Sequence, residues 1–142
     1  MANVVTDYAS STLSVGMTGA ATLANATSGN SDAIDNTSSR YLDYLVTVTV
    51  TTASGATATG LVEIWVKGSI DGTTYEDDGN DRWIGTIVMA AAGVQTRRKM
   101  VSFAAGFNGP LPPYTKIRLR NVTGGALTDA TATALGILAE TV

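Results

Sequence analysis

Two runs of alternating side chains lie at the centre of the chain, between Tyr41 and Lys67. In the first, Leu42, Tyr44, Val46, Val48 and Val50 point one way, while Tyr41, Asp43, Thr47 and Thr49 point the other, with Leu45 the one misfit on that second face. In the second, Val62, Ile64 and Val66 alternate with Glu63, Trp65 and Lys67. A period of two marks strands with one face for a core and one for water. A slip of one residue in the second run would bury a carboxylate and an ammonium, so its register is strongly specified. The stretch Thr52 to Gly60 between them holds two glycines and no large apolar group, and predicts a long exposed loop closing a β-hairpin.

Weaker patterns flank this centre. Residues 1–30 carry scattered apolar groups without a period and are expected to form an N-terminal arm or an edge strand, with residues 31–142 as the domain proper. Val4 to Tyr8 reads as an edge strand or as a tail lying on a neighbour, and Thr18 to Ala26 as a short strand of small residues. Asp32 to Asn36 reads as one helical turn. Trp83 to Ala91 places Trp83, Ile87 and Met89 on one side and Ile84, Thr86 and Val88 on the other, as in a strand covered twice. Thr96 to Phe103 predicts another strand, with Met100, Val101 and Phe103 as its apolar contributions. Ala104 to Pro113 contains all three prolines, which donate no ladder hydrogen bond, and reads as a loop. Lys116, Arg118 and Arg120 then alternate with Ile117 and Leu119, and the run from Leu127 closes the sheet. The sum is an all-β chain, a single antiparallel β-sandwich or jelly roll of about eight strands.

Composition agrees with one domain and narrows its chemistry. A chain of 142 residues builds a core unaided. It has no cysteine, so disulfides and thiolate sites are excluded. It has no histidine, which removes the commonest general base and the Ser-His-Asp triad. A non-enzyme is expected, with no cofactor. The N-terminal residues show no signal-peptide pattern and no run has the length and apolarity of a membrane span, which predicts synthesis in the cytoplasm and no membrane partner.

The net charge of −3 argues against nucleic acid as a partner. The charges are segregated: Asp71, Glu76, Asp77, Asp78 and Asp81 crowd one loop, while Arg97, Arg98, Lys99, Lys116, Arg118 and Arg120 carry most of the positive charge. Opposite patches of this kind meet between subunits or are solvated faces within one. Asp71, Asp77, Asp78 and Asp81 offer oxygen ligands for Ca²⁺ but lack the EF-hand spacing. Trp65, Tyr75 and Trp83 offer aromatic rings for a sugar. Trp65, outward between Glu63 and Lys67, is equally a subunit contact.

The segments Tyr41 to Thr49, Gly68 to Tyr75 and Leu111 to Leu127 together resemble small virion structural proteins of tailed bacteriophages, most of all β-sandwich capsid decoration, or cement, proteins. The resemblance spans about Asp32 to Leu127. It rests on strand and turn chemistry and transfers no functional residue. It implies a virion protein that binds the outer surface of the major capsid protein as a homo-oligomer, with a trimer favoured, and stabilises the shell. Glu63, Trp65, Lys67, Arg97, Arg98, Lys116, Arg118 and Arg120 are the interface candidates on this reading. The alternative is a tail or vertex module in which Trp65, Tyr75 and Trp83 contact a cell-surface carbohydrate or receptor.

Overall fold

The computed structural model describes residues 4–141. Met1 to Asn3 of the expected arm and Val142 of the expected last strand lie outside the described residues. Ten strands and one short helix follow in order: β1 (Val4–Tyr8), β2 (Leu13–Val15), β3 (Ser28–Asn30), β4 (Ile34–Asp35), β5 (Asp43–Thr52), β6 (Leu61–Ser69), β7 (Arg82–Val88), β8 (Thr96–Ser102), α1 (Phe103–Phe107), β9 (Tyr114–Val122) and β10 (Leu127–Thr141). Every pairing is antiparallel. The first sheet runs β1-β10-β5-β8 with β2 beside β1 on the same edge of β10, and the second runs β3-β9-β6-β7 with β4 beside β3 on β9.

Counting β1 with β2, and β3 with β4, as interrupted strands gives eight strand positions. The chain crosses between the sheets at almost every step, only β6 and β7 being a sequential pair in one sheet, and this is jelly-roll wrapping. The all-β sandwich expected from the sequence is therefore present. The expected hairpin is not. β5 pairs with β10 and β8, β6 pairs with β9 and β7, and the two strands face each other across the core. Val46, Val48 and Val50 belong with Val62, Ile64 and Val66 to one buried cluster there, all at most 1% exposed. An alternating pattern requires a shared core, and two strands satisfy it equally well side by side or opposed.

The linking segment is no free loop either. Ala53 N donates to Ala126 O at 2.8 Å and Thr57 N to Thr123 O at 2.7 Å, so the crossover lies on the β9–β10 turn. Gly60 sits so close that a Cβ would stand 2.3 Å from Thr123 O. Beneath it, buried Asn121 donates from Nδ2 to Leu23 O and Gly125 O and accepts at Oδ1 from Thr123 N and Oγ1, which uses its whole amide.

Of the two expectations for the N-terminal stretch, the described part is the edge strand. β1 and β2 line β10, and Val15, Met17, Ala20 and Leu23 enter the common core. Thr18 to Ala26 is turns with one isolated bridge, Leu23 to Leu127, rather than a strand. Ile34 and Asp35 form a short strand on β9 in place of a helical turn, because Ile34 is drawn into the core and Asn36 clamps Tyr41 through both halves of its amide. The expected loop after β8 begins as α1: Ser102 Oγ caps it by accepting from Ala105 N, and Asn108 ends it at a φ of 51°.

β7 departs from the twice-covered strand. A bulge skips Ile84, so Ile64 faces Gly85 but Trp65 faces Trp83. Ile84 turns to the core, Trp83 turns out, and Val88 is exposed because β7 is an edge. On β8, Val101 is buried but Met100 is exposed.

Candidate functional site

The outer face of the second sheet gathers most of the singled-out side chains. Core residues on β6 and β9 leave Glu63, Trp65 and Lys67 pointing away from the core opposite Arg120, Arg118 and Lys116 respectively. β7 adds Trp83 beside Trp65 and Thr86 beside Glu63. The acidic loop from Asp71 to Asp81 folds back onto this face.

Its carboxylates meet the strand cations inside one subunit. Asp81, whose side chain is wholly buried, accepts from Arg118 Nη2 at 3.0 Å and also pairs with Arg118 Nε. Asp78 pairs with Lys67 and stands 3.7 Å from Arg118 Nε. Glu76 pairs with Arg82 and accepts from Gly68 N. Lys67 and Arg118, expected at an intersubunit surface, are each only 6% exposed. The two opposite patches thus close on each other within the chain at these residues, because the loop is long enough to return over β6 and β9.

The electrostatics follow from that closure. Burial pushes the Asp81 carboxyl up, but the Arg118 guanidinium and the Gly79 N–H more than offset it and hold the group below its ordinary range. Glu76 is lowered in the same way by Arg82 against burial. For Arg118, burial acts downward and the Asp81 contact prevails, raising it. Asp71 is exposed and is lowered by the N–H groups of Thr74 and Thr73, then by the Ser69 hydroxyl. That arrangement is a self-contained turn, and Gly72 at a φ of 76° completes it.

Three of the four Ca²⁺ candidates, Asp71, Asp77, Asp78 and Asp81, are committed elsewhere: Asp71 to its own turn, Asp78 and Asp81 to cations. Among the described residues no three His, Cys, Asp or Glu side chains converge in a way that would hold a metal ion.

The three aromatic candidates do not form one platform. Trp65 is half-buried, donates to Glu63 Oε2 at 3.3 Å, and carries the Arg118 guanidinium 5.0 Å from its ring centre. Tyr75 lies under Lys116 Nζ, 4.4 Å from the ring centre, and its hydroxyl is buried without a hydrogen-bond partner. Only Trp83, 56% exposed, presents an open ring. Glu63 and Arg120 form a looser pair at 3.4 Å, with Arg120 half exposed. Arg97 and Arg98 stand apart from all of this, on exposed β8, where Lys99, not among the expected interface residues, adjoins them.

The described residues also form two shallow apolar cavities, among others. One, of about 430 Å³, is lined by Asn36, Thr37, Arg40, Tyr41, Leu42 and the proline loop. The other, of about 360 Å³, lies between Ile70, Tyr75, Arg82, Phe107 and Pro112. Neither contains a nucleophile paired with a base. No helix among the described residues is long and apolar enough to cross a membrane.

No protein-family model matches the chain, and no curated protein matches it. Among solved structures, murine APRIL is similar with a TM-score of 0.51 at 9% identity, over 88% of this chain and 97% of that one. The C-terminal CBM6 of LamC from Zobellia galactanivorans gives 0.45 at 15% identity, over 92% and 98%. The PRD1 vertex protein P5 gives 0.41 at 13% identity, over 89% and 94%. Among the described residues the chain is all-β with jelly-roll-like wrapping, and a carbohydrate-binding module and a virus vertex protein are both among the structures it is similar to.

Proposed function

We propose that this chain is a non-enzymatic virion protein that binds the outer surface of a capsid as a homo-oligomer, trimeric in the first instance, and stabilises the shell as a decoration protein. The observation that carries the reading is the disposition of its ionisable groups. Among the described residues the carboxylates near the basic strands are closed into structural ion pairs, Glu76 with Arg82 on the 360 Å³ cavity included, which leaves them bound to cations rather than free for proton transfer. What stays open is sheet face and strand edge, which is binding surface. A clamp of this kind acts by mass action: it stabilises whichever shell state it binds. The resemblance of the Tyr41, Gly68 and Leu111 segments to decoration proteins points to the capsid as the surface bound.

Two measurements test it. Quantitative mass spectrometry of purified particles should find the chain at a fixed large ratio to the major capsid protein. Purified chain added to undecorated capsids should raise the temperature at which they release DNA. A few copies per particle, or no thermal effect at saturation, overturns the shell role.

Trp83 supports a second reading. Its exposed ring on a flat sheet face is the kind of surface that stacks on a pyranose. A glycan array in which wild type binds and Trp83→Ala does not would favour the tail or vertex module.

A further inference from the structure

The chain has nine basic residues. Among the described residues, Lys67, Arg82, Arg118 and Arg120 are in ion pairs, and Lys116 lies on Tyr75. Arg97, Arg98 and Lys99 are consecutive, exposed and in no ion pair there. Most of the acid nearest to cations is already used, so these three are the concentrated uncompensated charge of the fold.

Their placement is unusual. Arg97 and Lys99 pair with Val50 and Val48, whose side chains are core, so both point to the inner face of β8. Lys99 Cγ comes within 4.0 Å of where a Cβ on Gly85 of β7 would stand. The two cations therefore occupy the open side of the sandwich, between the last strand of one sheet and the last strand of the other. Thr86, Ile87 and Val88 form the opposite wall of a groove of about 220 Å³. Arg98 points outward, opposite Thr49. Val88 of that wall is exposed, Met100 is exposed on the outward face of β8 beside Arg98, and β8 has an edge with no strand partner among the described residues.

Inward-pointing charge on an edge strand also guards against indiscriminate strand pairing. A guard made only of cations is selective: it repels basic strands, leaves neutral ones with desolvated ammonium and guanidinium groups, and is neutralised by an acidic one.

We propose that the β8 edge and its groove form the docking site for an extended acidic segment of a partner protein, added to the first sheet as a further strand. Main-chain hydrogen bonds to β8 supply affinity. Carboxylates on one face of the segment meet Arg97 and Lys99, and the small apolar residues of its other face cover Met100. The site goes beyond the shell reading and does not depend on it, because it is tested on the isolated chain.

The probe is a fluorescent ten-residue peptide alternating Glu with Val and Thr, titrated into the full chain at low and physiological salt. Controls are the same peptide with Gln for Glu, an Nα-methylated version at alternate positions, heparin and a single-stranded oligonucleotide. The Glu peptide is expected to bind at least tenfold more tightly than the Gln and methylated versions, and to lose at least tenfold with Arg97→Gln/Lys99→Gln. That variant should keep the wild-type thermal transition because both side chains are exposed. If it unfolds, the single variants Arg97→Gln and Lys99→Gln, whose side chains share the face that meets the peptide's carboxylates, are each expected to weaken binding of the Glu peptide at least threefold. Equal binding of Glu and Gln peptides, insensitivity to these substitutions, or tighter binding of heparin or oligonucleotide than of the peptide overturns the proposal. Undiminished binding of the methylated peptide overturns strand addition.

Discussion

Arg118 donates from Nη2 to Asp81 Oδ1 at 3.0 Å, joining a guanidinium that is 7% exposed to a carboxylate that is not exposed at all. Removing one partner of a buried pair costs about 3–5 kcal/mol, and with Asp78 still 3.7 Å from Arg118 Nε the loss of Asp81 falls at the lower end of that range. Asp81→Ala should therefore lower the unfolding free energy by about that amount, read by urea denaturation. Asp81→Leu/Arg118→Met should recover most of it, since a buried ion pair is replaceable by apolar groups at little net cost.

The same pair sets the acid limit. Asp81 is held below its ordinary value in the fold, so the unfolded chain binds its proton more readily. Its contribution is therefore complete above the unfolded carboxylate value, near pH 4, and is lost as the pH falls through the lower folded value. Glu76 is displaced in the same direction and adds to the trend. Thermal unfolding followed from pH 7 downward should show a steeper acid decline in wild type than in Asp81→Leu/Arg118→Met.

At the alkaline end Tyr44 governs. Burial first, then neighbouring Tyr41 and Asp35, push its phenol up to about 12, and its hydroxyl donates to Asn36 Oδ1 at 3.2 Å. A raised folded value means the neutral form is preferred in the fold. Its stabilisation is present below the unfolded value near pH 10 and disappears as pH rises toward 12. Tyr44→Phe should be less stable at neutral pH and should lose less between pH 10 and 12.

Gly136 on β10 lies under the ring of Tyr41, where a Cβ would come within 2.5 Å of three ring carbons. Tyr41 in turn stands edge-on to Tyr44 at 5.3 Å, and Tyr44 to Phe103 at 6.0 Å. Displacing the first ring disturbs all three, because an overfilled site moves its neighbours. Gly136→Ala should cost about 1–3 kcal/mol by denaturant unfolding, and Gly136→Ala/Tyr41→Ala should cost less than the two single changes summed.

The inward faces were legible because burial imposes a period. Tyr44, Val46, Val48 and Val50, and Val62, Ile64 and Val66, are buried as their alternation requires, whereas Leu42 of the same expected face precedes β5 and is half exposed. The partner of each strand was not legible, since alternation records which side chains face a core and says nothing of which strand lies alongside. Trp83 shows a second limit: one skipped residue at Ile84 reverses the face, and no local signal marks a bulge there. Lys67 and Arg118 show a third. Their outward positions follow from the sequence, but their burial depends on loop carboxylates 11 and 37 residues away returning over them.

Trp65 and Trp83 are direct cross-strand neighbours with different work to do, and substitution separates them. Trp65 covers Arg118 and donates to Glu63, so Trp65→Ala exposes the buried ion pair to water as well as deleting a ring. It should lower stability by about 1–2 kcal/mol. Trp83 is 56% exposed and bonds only to Thr86 Oγ1, so Trp83→Ala should change stability by no more than about 0.5 kcal/mol. Any loss of capsid or glycan binding in Trp65→Ala is therefore ambiguous, whereas the same loss in Trp83→Ala reports contact. Measured together with thermal unfolding, a Trp83→Ala protein that keeps its transition but fails to coat capsids places this face of the second sheet against the shell. One that coats capsids as wild type does leaves the contact to the first sheet and the strand edges.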